Sequence, residues 1–251
     1  MKKVRLDKLL VDRGAFADEA EALRAVLAHE VKVGDTYATS AATLVKPDVD
    51  IQVKGRKQFV SRGGVKLQGA LDAFGQDVSG LHCIDVGCST GGFTDCLLQA
   101  GAASVAAVDV GYGDLAWKLR QDARVTVFER TNIRTAEPTA LGAPFDLIVA
   151  DVSFIGLASL APVFARLAQP GSVFIGLVKP QFESRHDETD EHGVVRDESV
   201  RARTVQEVVA ALEQAGFSVT DAIESSLHGK RSGNIEYLVR AVKNTKEDSS
   251  L

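Results

Sequence analysis

The sequence contains no run of the roughly 18 consecutive apolar residues that a membrane-spanning helix requires. Its start, Met1-Lys2-Lys3, is not followed by the apolar core of a secretory signal peptide. These two absences argue against an integral membrane protein and against export. They predict a cytoplasmic protein with no stable membrane association.

Cysteine is also scarce. The three cysteines are Cys83, Cys88 and Cys96, and their spacing matches no zinc-ligand pattern. We therefore predict reduced, buried thiols and no metal site. The stretch 185–198 combines His186 and His192 with carboxylates, but these have no fixed ligand spacing, and we interpret it as a solvated, mobile loop.

The remaining composition is typical of a globular protein of one or two domains. Of the 251 residues, 45% are hydrophobic and 25% are charged, which excludes disordered, collagen-like and coiled-coil classes. Residues 1–66 carry 13 Lys and Arg against 9 Asp and Glu, a net of +4, whereas the remainder carries 16 against 25, a net of −9. A basic amino-terminal segment on an acidic body indicates an appendage that binds a polyanion.

The first 58 residues have the pattern of a small α+β domain. A first helix is predicted because Leu6, Leu9 and Leu10 share one helical face, and Gly14 stands where the helix ends. A second helix is predicted to begin at Asp18, which has Glu21 three residues on. Its predicted apolar stripe consists of Ala20, Leu23, Val26 and Leu27. The predicted strand positions that follow are Val31, Val33, Thr43, Val45, Ile51 and Val53.

This segment resembles the S-four-type RNA-binding module through residues 5–10 (RLDKLL), the helix that carries Arg24, and the turn at 31–35 (VKVGD). The resemblance implies that its basic side chains contact folded RNA. A basic connector, residues 59–65, is predicted to follow. The candidate RNA-binding residues are Arg5, Lys8, Arg24, Lys54, Arg56, Lys57 and Arg62. The alternative is that these charges only solvate an exposed face.

From residue 66 to residue 243 the pattern changes to that of an α/β domain. Five apolar runs alternate with helical segments, at 83–86, 105–108, 125–128, 147–150 and 173–178. Such continuous apolar strands predict a doubly wound parallel sheet that helices cover on both faces. Two later runs, 217–219 and 235–239, predict a hairpin at the sheet edge, and 244–251 is predicted to be a flexible tail.

A glycine-rich turn follows the first of these strands, at residues 87–93 (GCSTGGF). Glycines at a strand-to-helix turn let a ligand approach the backbone. The turn lacks the Gly-Lys-Ser/Thr ending of a phosphate loop and the glycine spacing of the dinucleotide fingerprint. Asp109 ends the next strand, where a carboxylate can accept hydrogen bonds from both hydroxyls of a ribose. Together these features favour an adenosine-containing ligand without a pyrophosphate.

S-adenosylmethionine fits that description, and we predict it as the cofactor. Its amino acid part and its sulfonium are expected near Asp85 and the glycine turn. The candidate cofactor-binding residues are Asp85, Gly87, Ser89, Thr90, Gly91, Gly92, Phe93, Asp109 and Val110. The alternative is a glycine turn that serves packing alone.

Six segments carry a further resemblance: 61–67 (SRGGVKL), 85–95 (DVGCSTGGFTD), 108–113 (VDVGYG), 151–155 (DVSFI), 178–183 (VKPQFE) and 233–237 (GNIEY). They resemble the TlyA family of ribosomal RNA 2′-O-methyltransferases, whose members are sometimes named hemolysins. The resemblance runs nearly end to end and includes the amino-terminal module. It implies a class I, Rossmann-like methyltransferase domain of the FtsJ type, with ribosomal RNA or a ribosomal subunit as partner.

The family resemblance also implies a catalytic tetrad, which falls on Lys66, Asp151, Lys179 and Glu236. A ribose 2′-hydroxyl is a poor nucleophile at neutral pH, so the site must supply a proton acceptor and alignment. Lysine can be such a base when it is desolvated or crowded by another cation. Lys179 is our candidate base, Asp151 is expected to orient it or the hydroxyl, and Lys66 and Glu236 are expected to hold the ribose and the tetrad geometry.

Two other functions stay open at this point. One is a membrane-active hemolysin, and the other is a noncatalytic RNA-binding factor in ribosome assembly. Within the methyltransferase hypothesis, the family implies a cytidine of the large subunit as target, and the shortness of this chain favours the large subunit alone. Trp117 and Phe154 are expected to pack near the cofactor or core rather than to stack on bases. The sequence carries no signal of the oligomeric state.

Overall fold

The computed structural model describes residues 3–16, 18–55, 58–229 and 233–245. The chain divides into two compact units, residues 1–58 and residues 59–251. Two of the candidate RNA-binding residues, Arg56 and Lys57, lie outside the described residues, and so does most of the predicted tail, from residue 246 onward.

The first unit combines two helices with five short strands. In chain order these are β1 (Val4–Arg5), α1 (Leu6–Asp12), α2 (Glu19–Leu27), β2 (Val31–Val33), β3 (Thr36–Tyr37), β4 (Leu44–Val45) and β5 (Ile51–Val53). Strand β2 lies between β3 and β5, and β1 pairs with β4, all antiparallel. Asp18 caps α2 as predicted, because its Oδ1 accepts the Glu21 N–H at 2.7 Å.

The predicted apolar stripe of α2 is wrong in part. Leu23 and Leu27 are exposed, whereas Ala22, Ala25 and Val26 pack into the core of the unit. The inner face of the helix is mostly alanine, which adds little to a hydrophobic pattern. The two larger leucines therefore dominate the pattern although they lie on the outer face.

The second unit begins with Phe59, so the predicted connector at 59–65 is wrong. The Phe59 side chain is buried in the core and lies against Gly64, where a Cβ would overlap its ring. Helix α3 already begins at Arg62. An aromatic residue among basic ones looks like part of a linker, but its apolar area gains more from burial than from exposure.

Helices and strands alternate through most of this unit. They are α3 (Arg62–Phe74), β6 (His82–Val86), α4 (Gly92–Gln99), β7 (Ser104–Val108), α5 (Trp117–Arg120), β8 (Val125–Phe128), α6 (Pro138–Leu141), β9 (Phe145–Ala150), α7 (Ala161–Leu167), β10 (Ala168–Val178), α8 (Pro180–Glu183), α9 (Glu198–Gln214), β11 (Phe217–Glu224) and β12 (Tyr237–Lys243). Short 3₁₀ helices occupy Leu157–Leu160 and His186–Glu188.

The strands form one seven-stranded sheet in the order β11-β12-β10-β9-β6-β7-β8. Strands β6 to β10 are parallel to one another, as predicted. The predicted edge hairpin is also present, because β11 and β12 pair antiparallel and β12 pairs with β10. The link between β11 and β12 is longer than expected and runs from residue 225 to residue 236.

Both faces of the sheet are buried. Ile84, Ile148 and Phe174 point into a cluster with α7 and α9, whereas Cys83, Leu147 and Ile175 point into another with α3 and α4. This alternation explains why the strands read as continuous apolar runs. All three cysteines are free and buried, as predicted.

The order of the strands reverses at β6, which lies between β7 and β9. Val86, the last residue of β6, is paired with Ala150, the last residue of β9. The loops that follow therefore leave the sheet side by side at its carboxyl edge. A crevice forms there because the helices that follow these strands pack on opposite faces of the sheet, and open α/β folds bind ligands at such a point.

Candidate functional site

The glycine turn lies in this crevice, between β6 and α4, and other protein segments pack tightly against it. Gly87 has a positive φ of 83°, and a Cβ there would lie 2.9 Å from the carbonyl oxygen of Asp151. A Cβ on Gly92 would lie 2.9 Å from the backbone nitrogen of Gly64, in the first turn of α3. These glycines are therefore required for close approach of neighbouring backbone.

Two adjoining pockets open along the carboxyl edge of the sheet. The larger has a volume of about 470 Å³, and Asp109, Val110 and Phe154 are among the residues that line it. The smaller has a volume of about 160 Å³, and Asp85, Phe93 and Lys179 are among its lining residues. Four residues line both pockets: Gly87, Ser89, Asp151 and Ser153. The two pockets therefore share part of their wall.

Asp109 projects its carboxylate at the wall of the larger pocket. One oxygen accepts the Ser89 N–H at 2.8 Å, and the other accepts the Gly111 N–H at 2.7 Å. A carboxylate oxygen has room for a second donor. Both oxygens are thus held in place while they can still accept hydrogen bonds from a pair of ribose hydroxyls.

Asp85 is the most deeply buried charged group of the site. Its Oδ2 accepts two hydrogen bonds from Thr94, from the N–H at 2.9 Å and from the hydroxyl at 2.7 Å. Its Oδ1 is buried and has no hydrogen-bond partner among the described residues. Burial raises the pKa of this carboxyl to about 7. Such an oxygen beside a pocket is a ready acceptor for a cationic amino group.

Most of the predicted cofactor-binding residues line the two pockets. Asp85, Gly87, Ser89, Thr90, Gly92 and Phe93 line the smaller one, and Asp109 and Val110 line the larger one. Gly91 differs, because the structure places it against the side chains of Leu115 and Leu119. Pocket-lining residues that the sequence did not single out as candidates are Ser61, Gly63, Thr131, Asn132, Arg134 and Ser153.

The four residues of the predicted tetrad form two ion pairs. Lys179 Nζ lies 2.6 Å from Asp151 Oδ1 and donates to Ser153 Oγ at 3.0 Å. Lys66 is paired with Glu236, and both of these side chains are buried. Each lysine therefore has one carboxylate partner, and each carboxylate is held by one ammonium group.

Strand pairing brings these residues together from distant parts of the chain. Asp151 follows β9 and Lys179 follows β10, which are adjacent parallel strands. Glu236 precedes β12, whose first residue, Tyr237, is paired with Val178. Lys66 lies one turn after Gly63 in α3, and Asp151 Oδ2 lies 3.7 Å from the Cβ position of Gly63.

Trp117 and Phe154 are expected to pack near the cofactor or the core, and packing in the core is wrong for both, because they are 72% and 92% exposed. Trp117 lines neither pocket, whereas Phe154 does lie next to the candidate cofactor site. Phe154 lines the larger pocket, has a positive φ of 67° and touches the ring of Phe182, 5.4 Å between centroids. An aromatic surface therefore faces solvent in the segment that follows Asp151.

The candidate RNA-binding residues differ in the contacts that their side chains already make within the protein. Lys8, Arg24 and Lys54 are exposed on the first unit. Arg5 differs, because Asp7 holds its guanidinium through two hydrogen bonds, at 3.0 and 2.5 Å, and compensates its charge. In the second unit, Arg62 is exposed and donates to the carbonyl oxygen of His228 at 2.8 Å.

The stretch 185–198 is mostly exposed, as predicted for a solvated loop, but several of its backbone groups make hydrogen bonds. Asp190 accepts backbone hydrogen bonds from His192 and Val194, both at 2.9 Å. Val195 is buried, and its N–H donates to the side chain of Asn234 at 3.0 Å. This stretch is therefore anchored to the segment that carries Glu236.

The FtsJ-like methyltransferase family matches residues 59–243, which span the sheet, both pockets and the two ion pairs. The chain belongs to this FtsJ-like methyltransferase family. It is 42% identical over 240 residues to the 16S/23S rRNA (cytidine-2′-O)-methyltransferase TlyA of Mycobacterium tuberculosis, and the match covers 95% of this chain and 89% of the relative.

Two further similarities cover nearly all of the chain. Hemolysin A of Brachyspira hyodysenteriae is 35% identical over 240 residues, which are 95% of this chain and 100% of the relative. A solved structure from Streptococcus thermophilus, described as a hemolysin, is 38% identical with a TM-score of 0.72, and the match covers 97% of this chain and 90% of the other.

This FtsJ-like methyltransferase uses S-adenosylmethionine, and its pockets have the groups to hold that molecule. Asp109 would accept hydrogen bonds from the ribose hydroxyls, and the larger pocket has the volume of a small-molecule site. The Oδ1 atom of Asp85, which has no hydrogen-bond partner in the described part of the chain, would accept one from the amino group of the methionine part. The predicted class I, Rossmann-like methyltransferase fold is confirmed.

Proposed function

We propose that this protein methylates the ribose 2′-hydroxyl of a cytidine in ribosomal RNA. The observation that carries the proposal is the Lys179–Asp151 ion pair at the smaller pocket, with the Lys66–Glu236 pair beside it. The name of the Mycobacterium tuberculosis relative specifies this reaction and this type of RNA.

Methyl transfer to a hydroxyl needs an activated methyl donor and a group that accepts the hydroxyl proton. S-adenosylmethionine supplies a methyl group that is already activated by the sulfonium. The remaining barrier lies in the hydroxyl, which must lose its proton as its oxygen bonds to the methyl carbon. In the proposed mechanism Lys179 first loses a proton to solvent, because the ammonium group that is paired with Asp151 has no free electron pair, and its neutral amine then accepts the proton of the hydroxyl. Asp151 and Ser153 hold the lysine nitrogen at the pocket wall.

Lys66 and Glu236 have a supporting role in this proposal. Both are buried, and they join α3 to the segment that precedes β12. Removing one partner of a buried ion pair leaves an uncompensated charge, so a single substitution at either position is strongly destabilising. We propose that the pair holds α3 and the segment before β12 in a fixed position, and through them the geometry around Lys179.

Exposed aromatic and basic groups support an RNA substrate. The Phe154 ring stands at the pocket edge with nearly all of its surface open, where a nucleobase can stack on it. On the first unit, Lys8, Arg24 and Lys54 provide charge for phosphate groups. We propose that the first unit is an S-four-type RNA-binding domain, and that the protein acts in the cytoplasm on ribosomal RNA.

The test is methyl incorporation from labelled S-adenosylmethionine into ribosomal subunits from cells that lack the protein, followed by mapping of 2′-O-methyl marks. We expect one or more marked cytidines, with the large subunit as the predicted target. Marks confined to bases, or no marks in either subunit, would contradict the proposal.

The hemolysin names of two relatives motivate a parallel measurement of liposome leakage. No helix in the described ranges is long and apolar enough to cross a membrane. We expect methylation without leakage. Leakage without methylation would support a membrane-active protein, and RNA binding without either would support a noncatalytic assembly factor.

A further inference from the structure

Glu183 is a half-buried carboxylate that the proposed chemistry does not use. It ends helix α8, four residues after Lys179. Its Oε1 accepts the Leu157 N–H, and its Oε2 lies 3.5 Å from the backbone nitrogen of Ala158. The carboxylate therefore binds the first turn of the 3₁₀ helix Leu157–Leu160.

The segment held by Glu183 carries residues of the site. Residues 151–155 all line the larger pocket, and two of them, Asp151 and Ser153, contact Lys179. Glu183 lies close enough to this segment that a Cβ on Gly156 would be 2.7 Å from its Oε2. The segment after Asp151 and the segment after Lys179 thus meet at three places: the ion pair, the Phe154–Phe182 contact and the Glu183 carboxylate.

We propose that Glu183 is a positioning residue for methyl transfer, which fixes the segment 151–158 relative to Lys179 through hydrogen bonds to the backbone of Leu157 and Ala158. This inference rests on the proposed function, because the activity by which it is tested is methyl transfer to ribosomal RNA. Glu183 itself touches neither the cofactor pockets nor Lys179 in any described contact.

The electrostatic surroundings make this connection sensitive to pH. Burial raises the pKa of Glu183 to about 7, against the lowering effect of the two backbone donors. The 3₁₀ helix, with sequence LASL, brings no charged group. Helix α9 brings Glu207, which raises the pKa further and is itself paired with Arg203 at 3.1 Å. Below pH 7 the carboxyl becomes neutral and its hydrogen bonds weaken, because bonds to a charged acceptor are roughly twice as strong.

Glu183→Gln tests the proposal because glutamine has the shape of the neutral carboxylic acid at every pH. We expect the ratio of wild-type to variant kcat, at saturating S-adenosylmethionine, to be about ten at pH 8 and to approach one at pH 6. Titration of Asp85 affects both proteins equally and cancels in this ratio. Glu213→Gln is the matched control, because Glu213 is exposed on the same helix α9 and does not contribute to the pKa shift of Glu183, and its ratio should stay near one at both pH values.

A second measurement is independent of RNA and of the proposed function. In NMR spectra of the full-length protein, the amide signals of Leu157 and Ala158 should titrate near pH 7 in the wild type and not in Glu183→Gln. Gly156→Ala, which displaces the carboxylate by steric contact, should reduce kcat at pH 8 in the same way.

Two results would overturn the inference. One is a kcat ratio that does not change between pH 6 and pH 8, which would indicate a purely structural role. The other is an amide signal of Leu157 that does not titrate in the wild type. A different result would separate this inference from the proposed function. If neither the wild type nor any variant methylates ribosomal RNA, but these amides titrate as expected, the proposed substrate is wrong. The hydrogen-bonding role of Glu183 then stands.

Discussion

At the scale of single residues, the chemistry depends on what Lys179 does with a proton. Its nitrogen is within contact distance of Asp151 and Ser153, so it is fixed at the wall of the smaller pocket. A lysine in this position could act as the base, or its charge alone could hold the ribose or a phosphate. The two roles differ in their tolerance of arginine, which keeps the charge but does not accept a proton at neutral pH.

We expect Lys179→Arg to lower the rate of methyl transfer by about 10²–10⁴-fold, the usual contribution of a general base, with little change in cofactor affinity. Single-turnover methylation and calorimetry with S-adenosylmethionine measure the two quantities. Lys243→Arg is the control, because Lys243 ends β12 at the far end from Glu236. A substantially active Lys179→Arg enzyme would make Lys179 an electrostatic clamp.

Asp85 gives a prediction about pH. Its pKa is raised to about 7, so the carboxyl is neutral below that value and charged above it. A cationic amino group binds the charged form, and cofactor affinity should therefore fall about tenfold between pH 8 and pH 6. In Asp85→Asn we expect weak binding at both pH values and no such slope. Asp146→Asn, at the opposite end of the sheet, should keep the slope; if Asp85→Asn keeps it too, another group binds the amine.

At the scale of secondary-structure elements, the close contact between α3 and α4 holds the smaller pocket together. Gly92 opens α4, and its missing side chain lets the first turn of α3 approach. The same turn of α3 supplies Gly63 to the pocket wall and leads to Lys66 one turn later. The spacing of these two helices thus sets the geometry of the cofactor pocket and of the Lys66–Glu236 pair.

Gly92→Ala should push the two helices apart. Overpacking of this kind costs about 1–3 kcal/mol of the free energy of unfolding, and we expect weaker S-adenosylmethionine binding as well. Denaturant unfolding and calorimetry provide the measurements. Gly69→Ala, in the interior of the same helix α3 but with only the Ser226 side chain within reach, is the control. It should lower neither quantity, because alanine in a helix interior is about 1 kcal/mol more favourable than glycine. Unchanged cofactor affinity in Gly92→Ala would show that the pocket tolerates a shift of α3.

At the scale of the whole molecule, the chain consists of two compact units, to which we assign different tasks. All the residues that line either pocket belong to the second unit. The exposed lysines and Arg24 of the first unit are the candidates for contact with RNA. Cofactor binding and RNA recognition should therefore be separable by truncation.

Removal of residues 1–58 should leave S-adenosylmethionine affinity within about twofold, whereas methylation of ribosomal RNA should fall by about 10²-fold or more as phosphate contacts are lost. Calorimetry and methyl incorporation test the two parts. Removal of residues 1–65 is the contrasting truncation, and it should also lose stability, because Phe59 is buried and the Val60 N–H donates to Asp95 at 2.8 Å. Full methylation by the protein that lacks only residues 1–58 would refute the RNA-binding role of the first unit.

Local sequence pattern was sufficient to predict the features that depend on neighbouring residues. Apolar runs such as 147–150 indicate strands because both faces of each strand are buried. The motif at 87–93 indicates the candidate cofactor turn because a strand, glycines and a helix follow one another directly. The membership of the tetrad came from motif resemblance and not from physical reasoning. Physical reasoning from the sequence could not have found the tetrad, because no residue near Lys66 in the sequence indicates a partner 170 residues away.

Which side chains meet is, in contrast, a property of the tertiary structure. Lys66 pairs with Glu236, and Lys179 with Asp151, because strand order and register bring four distant segments to one edge of the sheet. Phe59 is buried and Phe154 is exposed for the same reason: the fate of an aromatic side chain depends on whether another segment covers it. Covering is a property of the folded chain, since it requires residues that are far apart in sequence and adjacent in space.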